Sequence, residues 1–343
     1  MIELTEKELA LGKRLAHVDK SVRDQAVAAI GQVLAQSGEL TNIELLRHWK
    51  ALFYCFWLSD KPLVQQELSM SLASLTLACK GSNSVGFAQA FWETLCREWF
   101  DVDKHRVDKY LLLARRMVFF GFQSMRQSSW DTRVVEGFLG AYQEGPINPS
   151  EQRIPNSIRS HMADVYVDEL VRLVGEIRST HDAPDVEIAK IPVAMLLEPF
   201  MRLIGTSSIR QMPVIVQTSV FENIVVRIAE AEERSNDQDS CSDGELETNN
   251  NSSVTDNQIA NESLEDVQFL TDSIPEIKQR LLSVGSEKTT SSSGRKRLHM
   301  LYQALCDTFP AEETDIVFPK QIVKFAAGQQ SCGYRPHQGR IWL

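Results

Sequence analysis

Apolar residues recur three or four positions apart through most of residues 1–232, the spacing of a helix face. Ile43, Leu46, Phe53, Phe56 and Trp57 form one stripe, which stops at Ser59-Asp60-Lys61-Pro62. Leu63, Leu68, Leu72, Leu75 and Cys79 form the next, broken by Gly81. Val85, Phe91, Trp92, Leu95 and Trp99 follow, and then Val107, Tyr110, Leu111, Ala114, Met117 and Val118. Further helical stretches are predicted over 131–143, 155–178, 190–204 and 213–231. Pro62, Pro155, Pro192 and Pro213 stand near their starts, where the missing N–H is not needed. No segment alternates with period two between hairpin turns. The pattern predicts an all-α fold. The stripes are wide, as on helices packed against neighbours on two sides. A helix pair with its turns takes about 40 residues, within the range of HEAT units. The expected architecture is a HEAT-like α-solenoid or an irregular helical array, although no clean sequence repeat is present. Two more helices are predicted at 264–283 and 297–308, the second with Arg297, Leu298, Leu301, Leu305 and Phe309 on one face.

Charge changes the picture in one place. The 343 residues carry a net charge of −10. Residues 1–232 hold 25 basic and 29 acidic side chains, 233–273 hold 1 and 11, and 274–343 hold 10 and 6. The stretch 233–263 has almost no large apolar residue, so it is expected to be a disordered acidic linker. This gives three regions: a helical array at 1–232, the linker at 233–263, and short helices with a flexible tail at 264–343. A second soft patch is expected from Ser286 to Gly294, rich in Ser and Thr. The acidic N-terminus lacks the apolar core of a secretory signal, and no run of about 18 apolar residues suggests a membrane span. Six scattered cysteines form no CxxC pair, which points to a reducing compartment, the cytoplasm or nucleus.

Candidate chemistry is sparse. The nucleophile elbow, the dinucleotide fingerprint, the phosphate loop and HExxH are all absent. Cys96 with His105 lacks the further ligands a metal needs. His161, Asp164 and Asp168 fall at i, i+3 and i+7 on one predicted helix, the spacing of a metal or acid–base site, or else of a solvated helix face. No cofactor is called for. The best candidate surface runs from Arg97 to Arg133. There Arg97, Lys104, Arg106, Lys109, Arg115 and Arg116 are interleaved with aromatic residues, as in surfaces that neutralise phosphates and stack unpaired bases. The competing reading places the aromatics in the core and pairs the cations with Asp101, Asp103 and Asp108. Arg295-Lys296-Arg297 is a short basic cluster of the kind found in nuclear import signals. Ser240 and Ser242 precede acids by three positions and are possible phosphorylation sites for an acid-directed kinase.

Four stretches carry a family resemblance. They are Phe53-Tyr54-Cys55-Phe56-Trp57, its continuation Leu58-Ser59-Asp60-Lys61-Pro62-Leu63-Val64-Gln65-Gln66-Glu67-Leu68, the run from Arg97 to Tyr110, and the run from Pro155 to Leu170. Through them residues 5–230 resemble the ribosomal RNA processing protein 1 family, the nucleolar Nop52-type proteins. The resemblance implies an all-helical, non-catalytic factor for assembly of the large (60S) ribosomal subunit, residing in the nucleus and nucleolus. It implies a role in maturing precursor rRNA inside a pre-ribosomal particle, with pre-60S assembly factors as partners and no membrane. Family members often carry long lysine-rich tails, whereas the last 70 residues here hold 10 basic and 6 acidic side chains. Within the motif, Trp57, Asp60, Lys61 and Pro62 are expected to make a corner between two helices, with Asp60 capping the second. Two other functions compete with this one: a metal-assisted hydrolase or nuclease using His161, Asp164 and Asp168, and a helical adaptor that anchors a kinase or phosphatase without touching RNA.

Overall fold

A computed structural model describes residues 6–180, 182–240 and 263–310. The helices are α1 (Glu6–Leu15), α2 (Lys20–Gln36), α3 (Asn42–Trp57), α4 (Pro62–Ala78), α5 (Asn83–Glu98), α6 (Val107–Gln127), α7 (Thr132–Glu144), α8 (Asn156–Thr180), α9 (Pro184–Ile188), α10 (Val193–Thr206), α11 (Met212–Val216), α12 (Asn223–Ser240), α13 (Leu264–Ser286) and α14 (Ser292–Thr308). A 3-10 turn, Trp99–Asp101, follows α5, and a π-turn, Gln217–Glu222, joins α11 to α12. Among the described residues there is no strand. The acidic stretch lies largely outside the described residues, as do the side chains of Ser240 and Ser242. The backbone of α12 runs to Ser240, beyond the boundary at 232 expected from composition.

Local chemistry sets the helix starts. Asp19 accepts the Ser21 N–H at 2.9 Å to open α2, and Asp131 accepts the Arg133 N–H at 3.0 Å to open α7. Thr41 with Glu44 and Ser263 with Asp266 form reciprocal capping boxes on α3 and α13. Pro62, Pro184 and Pro213 occupy the first turns of α4, α9 and α11.

Alternate helices stack on one another. Helix α3 packs on α5 and α5 on α7, while α4 packs on α2 and α6, and α6 on α8. The result is an irregular helical array whose first half forms two rows. Buried aromatic rings link the rows. Trp49 meets Phe91 (ring centroids 4.8 Å apart), Trp92 meets Tyr142 (6.1 Å), Tyr142 meets Tyr166 (6.2 Å) and Tyr166 meets Phe200 (4.7 Å). The chain thus crosses from α3 to α10. Pairs of this kind contribute about 0.5–1.5 kcal/mol each beyond area burial. Gly121 makes room for one ring: a Cβ there would sit 2.4 Å from the Tyr142 hydroxyl.

By length and composition the helix from Met212 to Ser235 could cross a bilayer, although Gln217, Glu222, Asn223 and Arg227 interrupt its apolar positions and no unbroken run of about 18 apolar residues is present. Its composition is that of a core element. Val216, Val220, Phe221, Ile224, Ile228 and Ala231 are buried against the array, and Arg227, only 2% exposed, is ion-paired with Asp168.

Helices α13 and α14 fold back onto α10, and α13 also packs on α12. The serine-rich patch from Ser286 to Gly294 is a capped corner rather than a soft segment. Thr290 Oγ1 donates to the Val284 carbonyl at 2.6 Å, and Ser291 caps α14 through the Gly294 N–H at 3.0 Å. Helix α14 therefore begins at Ser292, five residues before the start its apolar pattern suggested. The docking depends on two glycines, since a Cβ on Gly294 would lie 2.0 Å from the Gly205 carbonyl oxygen. Gly294→Ala is expected to cost about 1–3 kcal/mol or more and to open α14 to protease. Gly175→Ala, in the interior of α8 with no atom within 4 Å of the new Cβ, should instead stabilise by about 0.5–1 kcal/mol. Denaturant unfolding of the two variants checks both signs.

Candidate functional site

Three of the resembling stretches meet in space. The C-terminus of α3, the start of α4 and the first turn of α6 form one corner. Lys109, on α6, reaches back and donates to the Trp57 carbonyl at 2.8 Å and the Ser59 carbonyl at 2.7 Å. Tyr110 stacks on Phe53 at 4.4 Å and donates its hydroxyl to the Phe53 carbonyl at 2.9 Å. The Arg106 guanidinium lies 4.7 Å from the Trp57 ring centroid and pairs with Asp103. Ser59 Oγ donates to the Phe56 carbonyl at 2.6 Å, and Gln65 Nε2 to the Ser59 carbonyl at 2.9 Å. The last turn of α3 would otherwise leave buried acceptors without donors.

This geometry corrects two expectations. Asp60 does not cap α4. The N-cap residue is Lys61, with no side-chain hydrogen bond, and Pro62 occupies the first helical turn. A proline already fixes the entry angle and removes one donor that a cap would serve. Lys109 is not part of a surface, being 4% exposed and engaged with main-chain carbonyls.

The other members of the basic stretch are dispersed. Arg97 is exposed, 3.0 Å from Glu98 and 3.8 Å from Glu93. Lys104 is exposed on the connector before α6. Arg115 pairs with Glu169, which is 0% exposed, and approaches Asp168 at 3.6 Å. Arg116 is half-buried and engaged. Most of the aromatics of the stretch belong to the core, Phe100 being exposed. The six cations do not form one continuous face.

The acid–base constellation is likewise divided among internal partners. His161 Nε2 lies 2.9 Å from the Leu111 carbonyl, which can only accept, so that nitrogen carries the proton. Burial holds the His161 imidazolium below its ordinary pKa. Asp164 accepts the Ser219 hydroxyl at 2.5 Å, and Asp168 pairs with Arg227. Among the described residues no three His, Cys, Asp or Glu side chains converge as a metal site would require. Burial pushes the Cys55 thiol up to about 11 and those of Cys79 and Cys96 up to about 12, which suits packing and not nucleophilic attack.

Sequence reasoning missed Arg159. It is 0% exposed and donates to the carbonyls of Asn148 (3.0 Å), Ile154 and Glu151, clamping the loop before α8. Its place as the fourth residue of a helix that follows Pro155 and a polar loop was the only signal.

Removing the Lys109 donor leaves the Trp57 carbonyl without a partner and the Ser59 carbonyl with Gln65 alone. Lys109→Met should cost about 1–3 kcal/mol in urea unfolding. Asp60→Ala should stay within about 0.5 kcal/mol, as for an exposed side chain with no cap to lose. Burial first, and the Arg106 charge second, bring the Lys109 ammonium down to about 8 from 10.5, with Asp60 and Asp103 opposing. Between those values the unfolded chain holds a proton that the folded chain has released, so stability at this group rises with pH. The neutral amine keeps two N–H groups, enough for both carbonyls. Wild type should therefore gain stability relative to Lys109→Met between pH 8 and 10 in parallel denaturation curves.

Comparison with known proteins places this corner in a family. Ribosomal RNA processing protein 1 homolog B of Homo sapiens is 31% identical over 224 residues, 64% of this chain and 28% of that protein. Homolog A of Homo sapiens is 30% identical over 224 residues, 64% of this chain and 46% of that protein. The homolog of Drosophila melanogaster is 34% identical over 165 residues, 48% of this chain and 22% of that protein. The matched region is thus less than half the length of these relatives. The family described as nucleolar protein, Nop52, matches residues 6–300, from α1 into α14 and across the whole Lys109 corner, and the chain belongs to that family.

Proposed function

We propose that the chain is a non-catalytic nucleolar assembly factor for the 60S subunit, required for precursor rRNA processing and acting as a scaffold within a pre-ribosomal particle. The observation that carries this reading is the family match over residues 6–300, together with relatives named for ribosomal RNA processing. The internal chemistry agrees with it. The carboxylates, cations and imidazole that looked reactive in the sequence hold helices together. Stacked helices present an extended surface, and a factor that positions partners needs shape and not a reacting group. In this reading the partners are other pre-60S factors, with precursor rRNA contacted directly, and no cofactor is involved. Depletion should raise the precursors of the large-subunit rRNAs and lower 60S relative to 40S subunits, read by RNA blotting and gradient profiles. Unchanged precursors and an unchanged 60S to 40S ratio would reject it.

A further inference from the structure

We propose that the exposed face of α14, with the connector that precedes it, binds single-stranded RNA; this rests on the reading above of the chain as an rRNA-processing factor. From Lys288 to Cys306 the sequence has no Asp or Glu, yet it holds Lys288, Arg295, Lys296, Arg297 and His299. A second acid-free run, Lys109 to Trp130, is also cationic, but Lys109, Arg115 and Arg126 are used inside the array and Arg116 is engaged. The carboxylate that borders the run, Glu287, is bound 2.6 Å away by Arg202. Arg295 donates to the backbone carbonyl of Glu287 at 3.3 Å. Among the described residues, Lys288, Arg295, Lys296 and Arg297 form no ion pair with a carboxylate. Arg97, Arg106 and Arg115 in the earlier basic stretch are all paired. Arg210, on the connector leaving the Gly205 crossing, is exposed as well.

The frame under these cations is rigid. Ser291 donates to the Gly205 carbonyl from its N–H at 3.0 Å and its hydroxyl at 3.1 Å, and Leu298, Leu301 and Leu305 are buried. The opposite face carries Arg295, Lys296, His299 and Met300 into solvent. His299 lies one helical turn beyond Arg295, and its ring is nearly parallel to that of Tyr302 (17°, centroids 6.2 Å apart). Cations that track phosphates beside a flat ring pair match the chemistry of an unpaired RNA strand. A receptor that reads Arg295-Lys296-Arg297 as an extended import signal would have to unwind α14, break the Gly205–Gly294 crossing and expose three buried leucines. The folded helix therefore favours RNA.

The test is fluorescence anisotropy of the full chain with a 20-nucleotide oligouridine across a range of KCl concentrations. Wild type should bind, with affinity falling steeply as salt rises. The variant Lys288→Glu/Arg295→Glu/Lys296→Glu should bind at least tenfold more weakly and flatten the log–log salt dependence by about two units. All three sites are exposed, so its thermal unfolding should match that of wild type. Arg97→Glu/Lys104→Glu should leave affinity within twofold. Absence of salt-dependent binding by wild type, or full affinity in the triple variant, would overturn the proposal. So would a triple variant that binds RNA normally and fails only to enter the nucleus. In depleted cells, a triple variant that still co-purifies with pre-ribosomal proteins but loses its RNA crosslinks separates this surface from the broader function. Normal precursor levels on depletion would reject that function whatever the oligonucleotide shows.

Discussion

A main-chain carbonyl at the end of a buried helix must find a donor inside the protein, because water cannot reach it. In this array long cationic side chains supply donors to carbonyls at helix ends and in connectors. Lys109 serves Trp57 and Ser59, Arg159 serves Asn148, Glu151 and Ile154, and Lys278 serves Phe309. Arg178, on α8, serves Glu265 at the start of α13. One ammonium or guanidinium presents several N–H groups on a long stem, so one side chain can satisfy two or three acceptors across a gap. At the ends of α3 and α14, Lys109 and Lys278 also place positive charge where a helix C-terminus is negative. These contacts tie the corners of the array to the helices packed beside them.

Fixed corners give the aromatic chain its meaning. Trp49, Phe91, Trp92, Tyr142, Tyr166 and Phe200 step from α3 to α10 with each ring touching the next. Rings of this size tolerate little rotation of a neighbouring helix before contact is lost. In stacked arrays each element contacts mainly its neighbours, so overall curvature is the sum of local crossings. A stiff set of crossings holds the outer surface in one shape. That is the property a positioning factor requires, and it agrees with the internal use of nearly every group that first looked reactive.

Much of this was legible in the sequence where the cause is local. The stretches 131–143 and 155–178 fall within two residues of α7 and α8 at either end, because the 3.6-residue period, the Asp131 cap and Pro155 act within a turn or two. The start of α14 was missed because Ser291, Ser292 and Ser293 read as a soft patch, and only the docked Gly294 shows why small residues are needed there. For the basic stretch the sign of the charge was legible but the partner was not. Lys109 meets Ser59 fifty residues away, and Arg115 meets Glu169 at a separation of 54. Such separations lie outside any local pattern. Asp60 was misread for a different reason: its residue type suits a cap, but Pro62 places the helix start one residue later. The family resemblance was legible because short contiguous motifs carry it, and three of its four stretches meet at the Lys109 corner. Trp57 meets Arg106 at the corner, and the run from Pro155 to Leu170 contains Arg159, Asp168 and Glu169.

Helix α14 shows how packing decides which charges are left for a partner. Helix α6 buries residues around most of its circumference, since it lies between α4 and α8. Helix α14 touches α10 through a glycine crossing and buries only a narrow stripe of leucines. A helix face turned to water needs polar side chains. Stability demands that the face be polar and is indifferent to its sign. In a chain with 46 acidic and 36 basic side chains, the easier composition for that face is acidic. The outer face of α14 is cationic, with no carboxylate from Lys288 to Cys306. Folding does not account for that choice of sign, and an anionic partner does.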